Sequence, residues 1–518
     1  MFNKLKRILC IMLSAITFIV CFGCDNNGDG GKFDESLIYD EVITPDGTPA
    51  YNGAIDVSYL KRTPGGKAYL EVNGSPFLMI GIQVRTDFYM HLEGYTPFQL
   101  DKYFQLASTL GVTCLQVPIC WKDIEPEKDE YTMEVIEWYI RLCNKYNLKL
   151  ELLWFGSYMC GYSVEGYVPD YVMNDKKTYP NYLDFTYDGW LGKHWFLRAN
   201  TPALVERESL AISKMMEGIW EFDRMNGGRR TIIGIQVENE PDMLASRHNE
   251  VHGYAHDEIW PDLVAMLDTL GQAVKNSKYR CYTRVNITLD SGYVDRYDDL
   301  VATEGIDFVG LDPYTSRISD IATYVKELIA VEGNWAHIAE NGASYKNGDQ
   351  LMLKALQLGA GYEMFDLIVT SEELGDDPSG MFKGDFTKKD HVDEVNEAFT
   401  LYRKAYVDIA TCETKNFIAF NLLSNGKLQN DNETYSTHSG SVNFSTSSSG
   451  LAFAIERDGY LTFASTKDDT FTFTGYTLGD CEIGVYSRTG KWLKQSDTKI
   501  TNGTITVKGG NVYRVKIA

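Results

Sequence analysis

Two apolar segments of this chain each run without a break into a carboxylate. Thr231 to Asp242 reads TIIGIQVENEPD and delivers Glu240 directly behind Asn239, while Trp335 to Ser344 reads WAHIAENGAS and delivers Glu340. Both read as short strands with an acid at the end. Two glutamates brought together from distant parts of one chain can cut a glycosidic bond with retention of configuration. One protonates the leaving oxygen and the other attacks the anomeric carbon, which requires the carboxyl groups to stand about 5 Å apart.

Neighbouring residues each carry two readings. Strand alternation puts Gln236, Glu238 and Glu240 on one side, so Glu238 is either a rival acid or an inward-facing residue below the site. Tyr314, after Asp312-Pro313, is either a core aromatic or a phenol that orients a carboxylate. Trp121, Trp154 and Trp195 either stack on sugar faces or bury in the core. Glu125, ahead of Pro126, is expected to pack a loop rather than touch substrate.

The elements that must position these residues alternate between strand and helix. Lys67 to Phe77 reads as a hairpin turning at Asn73-Gly74, and Leu78 to Val84 continues as a first buried strand. Thr96-Pro97 opens a helix with Leu100, Tyr103, Phe104, Ala107 and Leu110 at helical spacing, closed by Gly111. Further strands are expected at Thr113 to Ile119, Leu148 to Phe155, the Glu240 segment, Cys281 to Ile287, Ile306 to Leu311, Ala336 to Ala339 and Gly361 to Leu367. Helical patterns begin at Thr132 and at Thr201-Pro202, recur around Leu263 to Val274, Ile321 to Val331 and Leu351 to Leu358, and end with Val392 to Ala410. Eight such units predict a (β/α)8 barrel, a fold that carries chemistry at the carboxyl ends of its strands. An open doubly wound sheet is the alternative, but no glycine-rich phosphate turn follows the first strand.

From Phe417 onward the composition changes to Thr, Ser and Gly with two-residue alternation, as in Tyr460-Leu461-Thr462-Phe463, which predicts an all-β sandwich. At the other end, Lys4, Lys6 and Arg7 precede an apolar run from Ile8 to Phe22 that is short for a membrane span and suited to a signal peptide. Cys21-Phe22-Gly23-Cys24 resembles a bacterial lipobox with Cys21 where leucine is usual, so Cys24 is expected to be lipidated and the protein held outside the cytoplasm, at the periplasmic or outer surface. The glycine- and aspartate-rich stretch behind it reads as a tether; a calcium loop there lacks its final glutamate, Ser36 standing in that place. The expected division is 1–24 signal, 25–66 tether and extension, 67–412 barrel and 413–518 sandwich.

A net charge of -23 over 518 residues excludes nucleic acid as a main partner, because phosphate backbones demand basic surface, and limits membrane contact to the lipid. The expected partner is carbohydrate, with homo-oligomerisation left open. Of ten cysteines, Cys10, Cys21 and Cys24 belong to the leader; the other seven show no CxxC or His-Cys spacing, so no metal site is expected and they read as small buried residues, and the paired-glutamate chemistry requires no organic cofactor.

Taken together, Asn239-Glu240 at the fourth strand, Tyr314 after the sixth, Glu340-Asn341-Gly342 at the seventh and VPICWKDIEPEKDEY at Val117 to Tyr131 resemble clan A glycoside hydrolases, nearest to the family 35 and 42 β-galactosidases. Gly156 to Tyr162, followed by Val168-Pro169-Asp170-Tyr171, is similar to the family 35 loop G-P-Y-I-C-A-E-W with its later L-P-x-W. The resemblance implies that Cys160 lines the sugar site, and that Tyr162 stands where the family has a sugar-binding glutamate, with Glu165, Arg85 or Gln83 as substitutes. It further implies Glu340 as nucleophile, Glu240 as acid then base, Tyr314 as the phenol that orients Glu340, and Asn239 on the sugar 2-hydroxyl. The implied activity is removal of terminal β-galactosyl residues; a mannosidase, glucosidase or endo-glycanase, or a sugar-binding lipoprotein without turnover, are the alternatives.

Overall fold

The computed structural model describes residues 48–517 apart from 160–166, 183–186, 190–191, 195, 253–258, 290–295, 344, 369–379, 421–422, 425–426, 429–433 and 446–449. Eight parallel strands close into a barrel: β1 (Ile80–Gln83), β2 (Cys114–Cys120), β3 (Lys149–Met159), β4 (Ile232–Asn239), β5 (Tyr282–Thr288), β6 (Phe308–Asp312), β7 (His337–Ile338) and β8 (Gly361–Met364). Each strand pairs with its neighbours in sequence and β8 returns to β1, so the sheet has no edge and the open doubly wound alternative is excluded. Every residue of β2, β4, β5 and β6 is buried, as their near-continuous apolar runs require of strands covered on both faces.

A helix follows each strand: α1 (Asp101–Ser108), α2 (Glu134–Tyr146), α3 (Pro202–Met225), α4 (Trp260–Lys275), α5 (Tyr297–Val301), α6 (Ile318–Ala330), α7 (Gly348–Gln357) and α8 (Val392–Lys404). Two features depart from the sequence reading. The last helix is two, because Ala405 leaves the helical region and Tyr406–Thr411 forms a separate piece. Pro241–His252 forms a helix directly after Glu240. The middle of the barrel holds a charged cluster. There Arg284 donates through Nε to Glu151 at 2.7 Å and through Nη2 to Glu363 at 3.1 Å, His337 bonds Glu363 at 2.8 Å, and Gln116 and Tyr282 donate to Glu363 and Glu151. Burial pushes Glu363 up to about 8 and His337 down to about 3, so the imidazole is neutral and one guanidinium serves two carboxyls.

Before the barrel, Ile55–Asp56 pairs with Tyr279–Arg280, and Ser58–Arg62, Ala68–Val72 and Ser75–Phe77 form a small sheet with its turn at Asn73 (φ 54°) and Gly74 (φ 77°). After it, a six-stranded and a four-stranded antiparallel sheet form the sandwich. Phe420, Phe463, Phe471, Phe473 and Val515 give that sandwich its own core, while Phe417, Phe453, Ile455 and Val512 join the barrel's. Asp408 in the piece after α8 accepts from Arg457 at 2.7 Å, Thr462 at 2.7 Å and Tyr486 at 2.8 Å, tying the sandwich to the barrel. The signal segment and Cys24 lie outside the described residues.

Candidate active site

β4 does not run straight into Glu240. Glu238 and Glu240 both adopt left-handed backbone (φ 61° and 47°), and the register against β3 shifts between Val237 and Asn239. Left-handed glutamates are disfavoured sterically, so the surrounding packing must hold them there. The kink breaks the alternation that grouped Gln236, Glu238 and Glu240. Glu238 instead accepts the backbone N–H groups of Gly156 (3.1 Å), Ser157 (2.7 Å) and Tyr158 (3.0 Å) at the end of β3. Beside it, Glu208 of α3 accepts from the Trp154 indole at 2.8 Å and from Ser157 Oγ at 2.5 Å. Burial and the Glu208 carboxyl push Glu238 well above the usual carboxylate range. Its two oxygens thus anchor the end of β3.

Asn239 and Glu240 are turned into the mouth of the barrel and fixed by Asn286 of β5. Glu240 donates its backbone N–H to Asn286 Oδ1 at 3.1 Å, and Asn239 Oδ1 accepts from Asn286 Nδ2 at 3.1 Å and Gln236 Nε2 at 2.9 Å. The same Asn286 Nδ2 donates to Asp312 Oδ2 at 2.6 Å, at the end of β6.

Across the mouth, Glu340 stands two residues beyond β7. Its Oε2 accepts the Tyr314 hydroxyl at 2.5 Å and its Oε1 accepts Gln83 Nε2 at 3.2 Å. Tyr314 is itself held: Tyr345 donates to its carbonyl at 2.7 Å, and Asn341 bonds both the N–H and the carbonyl of Thr315. Burial pushes Glu340 above the ordinary glutamate range, while Tyr314, Arg85, Arg284 and Gln83 favour its charged form. Burial and the Glu340 charge keep the Tyr314 hydroxyl protonated and thus a donor, although the residue as a whole is 37% exposed. One carboxylate oxygen from each of Glu240, Asp312 and Glu340 lies within 4.8 Å of the others, and all three residues are buried. Three acids from the ends of three different strands therefore meet at the mouth of the barrel.

Arg85 grips Asp87 with two bonds of 2.9 and 2.8 Å and lies 5.8 Å from the centre of the Phe365 ring, which meets Tyr314 edge-on. The two tryptophans do not line the cleft. Trp121 and Trp154 are both 0% exposed and donate to Glu125 and Glu208, so their faces pack in the core and neither can stack on a sugar. Glu125 also pairs with Arg207 and accepts the Asp129 N–H at 3.0 Å, holding a loop. Cys160, Tyr162, Glu165 and Trp195 lie outside the described residues.

Asp312, Asn286, Asn341 and Phe365 were missed. Asp312 carried the same signal as the two glutamates, an apolar strand ending in a carboxylate, FVGLD. Asn286 showed only as an amide inside the buried strand YTRVNIT. The described residues hold two groups close enough for a metal ion, the Glu240–Asp312–Glu340 triangle and His91–Cys120–Asp123. The second is assembled by the fold from residues without a motif, and there burial pushes the Cys120 thiol well up, away from the thiolate that would bind metal.

A sequence family described as "Domain of unknown function (DUF4978)" matches residues 263–427, less than half the chain. No curated protein matches it. Among solved structures, the chain is similar to the exo-β-1,4-mannosidase Op5Man5 from Opitutaceae bacterium strain TAV5, with 14% identity and a TM-score of 0.46 over 69% of this chain and 63% of that one. It is also similar to a family 39 glycoside hydrolase from the gut symbiont Bacteroides cellulosilyticus WH2 (12% identity, TM-score 0.43, 89% and 88% covered). A third is the β-galactosidase from the psychrophilic Marinomonas ef1 (11%, 0.46, 64% and 61%). The chain therefore spans under two thirds of the mannosidase and of the galactosidase. The likeness is spread over several glycosidase families rather than resting on families 35 and 42, and at TM-scores below 0.5 it carries no argument about activity or substrate.

Proposed function

We propose that this protein is a retaining exo-β-glycosidase that removes terminal β-linked sugars, with galactose as the sugar, from oligo- or polysaccharides outside the cytoplasm. The observation that carries the reading is the approach of Glu240 and Glu340, with carboxylate oxygens within 4.8 Å at the carboxyl ends of β4 and β7. Glu340, oriented by Tyr314 and Gln83, attacks the anomeric carbon as Glu240 protonates the leaving oxygen. Glu240 then takes a proton from the water that releases the sugar. The attack removes the Glu340 charge, which is what allows Glu240 to give up its proton and return as a base. Asn239, its carbonyl oxygen pinned by two amides, is set to meet the sugar 2-hydroxyl.

The galactoside reading rests on the Gly156 to Cys160 frame and on finding a partner for the axial 4-hydroxyl, which if left unpaired costs about 1–3 kcal/mol. Gln83 supports it: its Oε1 is buried and has no hydrogen-bond partner among the described residues, while its Nε2 holds Glu340. Arg85 is already committed to Asp87, so Gln83 and Glu165 are the stronger choices. Cys24 is proposed as the lipid anchor.

The test is a screen of aryl β-galactoside, β-glucoside and β-mannoside, with the anomer of the first product followed by NMR. A β-anomer first and a preference for galactoside are expected. A preference for glucoside or mannoside removes the galactoside assignment; an α-anomer first removes the retaining mechanism; no hydrolysis of any aryl or natural glycoside favours a binding protein.

A further inference from the structure

The double displacement uses two of the three carboxyls in the triangle and leaves Asp312 without a role. We infer that Asp312 is a neutral hydrogen-bond donor shared by the two reacting glutamates, a positioning residue whose hydroxyl follows the negative charge from Glu340 to Glu240 as the sugar is transferred. The inference rests on the retaining-glycosidase reading above.

Three carboxyls with oxygens within 4.8 Å, all buried, repel one another too strongly for all to be charged. Glu340 has the donors that a charge needs, in Tyr314 and Gln83, and Arg85 and Arg284 reinforce them. Among the described residues Asp312 has one amide donor, Asn286, on Oδ2, and its Oδ1 has no hydrogen-bond partner. The titratable and charged groups that face it include Glu340 from beyond β7, Glu240 behind β4, Arg284 from β5, Tyr314 two residues on and Tyr297 of α5, and burial with the two glutamates pushes its carboxyl far above the usual range. Because Oδ2 accepts from Asn286, the proton belongs on Oδ1, the atom without a partner.

A buried hydroxyl gains most from a charged acceptor, which is Glu340 before the transfer and, after it, the charge that appears on Glu240. The reaction supplies that charge. As the bond from Glu340 to the anomeric carbon forms and the bond to the leaving oxygen breaks, the proton of Glu240 passes to the leaving group and Glu240 becomes the carboxylate. Asp312 keeps its own proton throughout and donates a hydrogen bond to the new charge. Asn286 links the same groups, bonding Asp312, the Asn239 carbonyl oxygen and the Glu240 N–H, so the donor and its target share one support.

The test compares Asp312→Asn with Asp312→Leu, beside Glu240→Gln and Glu340→Gln. Asparagine offers an N–H donor and a carbonyl acceptor in the same shape, so it should stay within about threefold of wild-type kcat/KM with the acid limb of the pH profile unmoved. Leucine removes the donor and should lower kcat/KM about 10- to 100-fold on a phenyl glycoside, whose leaving group needs a proton, and under about fivefold on a dinitrophenyl glycoside, whose leaving group does not. A wild-type minus Asp312→Asn infrared difference spectrum at neutral pH should contain the C=O band of a protonated carboxyl. Asparagine as damaging as leucine, an acid limb that moves down in Asp312→Asn because a negative neighbour of Glu340 has gone, or absence of that band would each overturn the inference. Should Asp312→Leu not fold, the asparagine profile and the infrared band decide. Wild-type turnover in Glu240→Gln and Glu340→Gln would instead defeat the glycosidase reading, with the infrared band still deciding the state of Asp312.

Discussion

Tyr314→Phe removes one hydroxyl and leaves the ring against Phe365. The lost contact is the 2.5 Å hydrogen bond to Glu340 Oε2, one of two side-chain donors on a carboxylate that is 5% exposed. A hydrogen bond to a charged group contributes about 1.5–3 kcal/mol. The lower end of that range is about 1.5 kcal/mol. The bond favours the charged form, and burial has already raised Glu340 above the ordinary glutamate range, so its loss raises it further. At about 1.36 kcal/mol per pH unit, the acid limb of kcat/KM should move up by about one unit. Glu340 must be ionised to attack, so activity is lost as pH falls through this limb in wild type, and at higher pH in the variant. Above the limb, the less firmly held nucleophile should cost a further tenfold or so. The assay is kcat/KM against pH on one aryl β-glycoside for both proteins. A limb that moves down, or stays in place while the plateau falls, would refute the claim that the phenol stabilises the charged nucleophile.

Glu340→Gln and Glu240→Gln should each abolish most turnover, and azide, which needs no general base, should rescue only the Glu240 variant on an activated substrate and yield a β-glycosyl azide; rescue of neither, or near wild-type rates, counts against the assignment. Glu238→Gln should act on stability rather than chemistry. An amide in place of a carboxyl that accepts three backbone N–H groups should cost about 2–4 kcal/mol and lower the unfolding temperature, with activity per folded molecule within about tenfold, and loss of all activity without loss of stability would restore Glu238 as a candidate acid. Cys24→Ser should release soluble protein or leave an uncleaved precursor, and unchanged membrane association would argue against a lipid anchor.

The strand ends were legible because burial on both faces forces a continuous apolar run, and a carboxylate that ends such a run stands out against it. Glu240, Glu340 and the eight strand-helix units were therefore readable from residue types alone, as was the change to two-residue alternation that marks the sandwich. Asp312 carries the same mark at the end of β6. What lay beyond one-dimensional reading is set by contacts between residues far apart in the chain. Arg284 meets Glu151 and Glu363 across 133 and 79 residues, and nothing local to any of the three announces that a charged layer fills the barrel. Trp121 and Trp154 look the same in sequence whether they face sugar or core, and their burial was decided by partners on neighbouring elements. The kink in β4 is the sharpest case. Alternation is a property of regular strand, and two left-handed residues, held by Asn286 on one side and by the β3 amides on the other, turned Glu238 away from Glu240. The sequence named the glutamates; tertiary packing alone decided which of them faces the cleft.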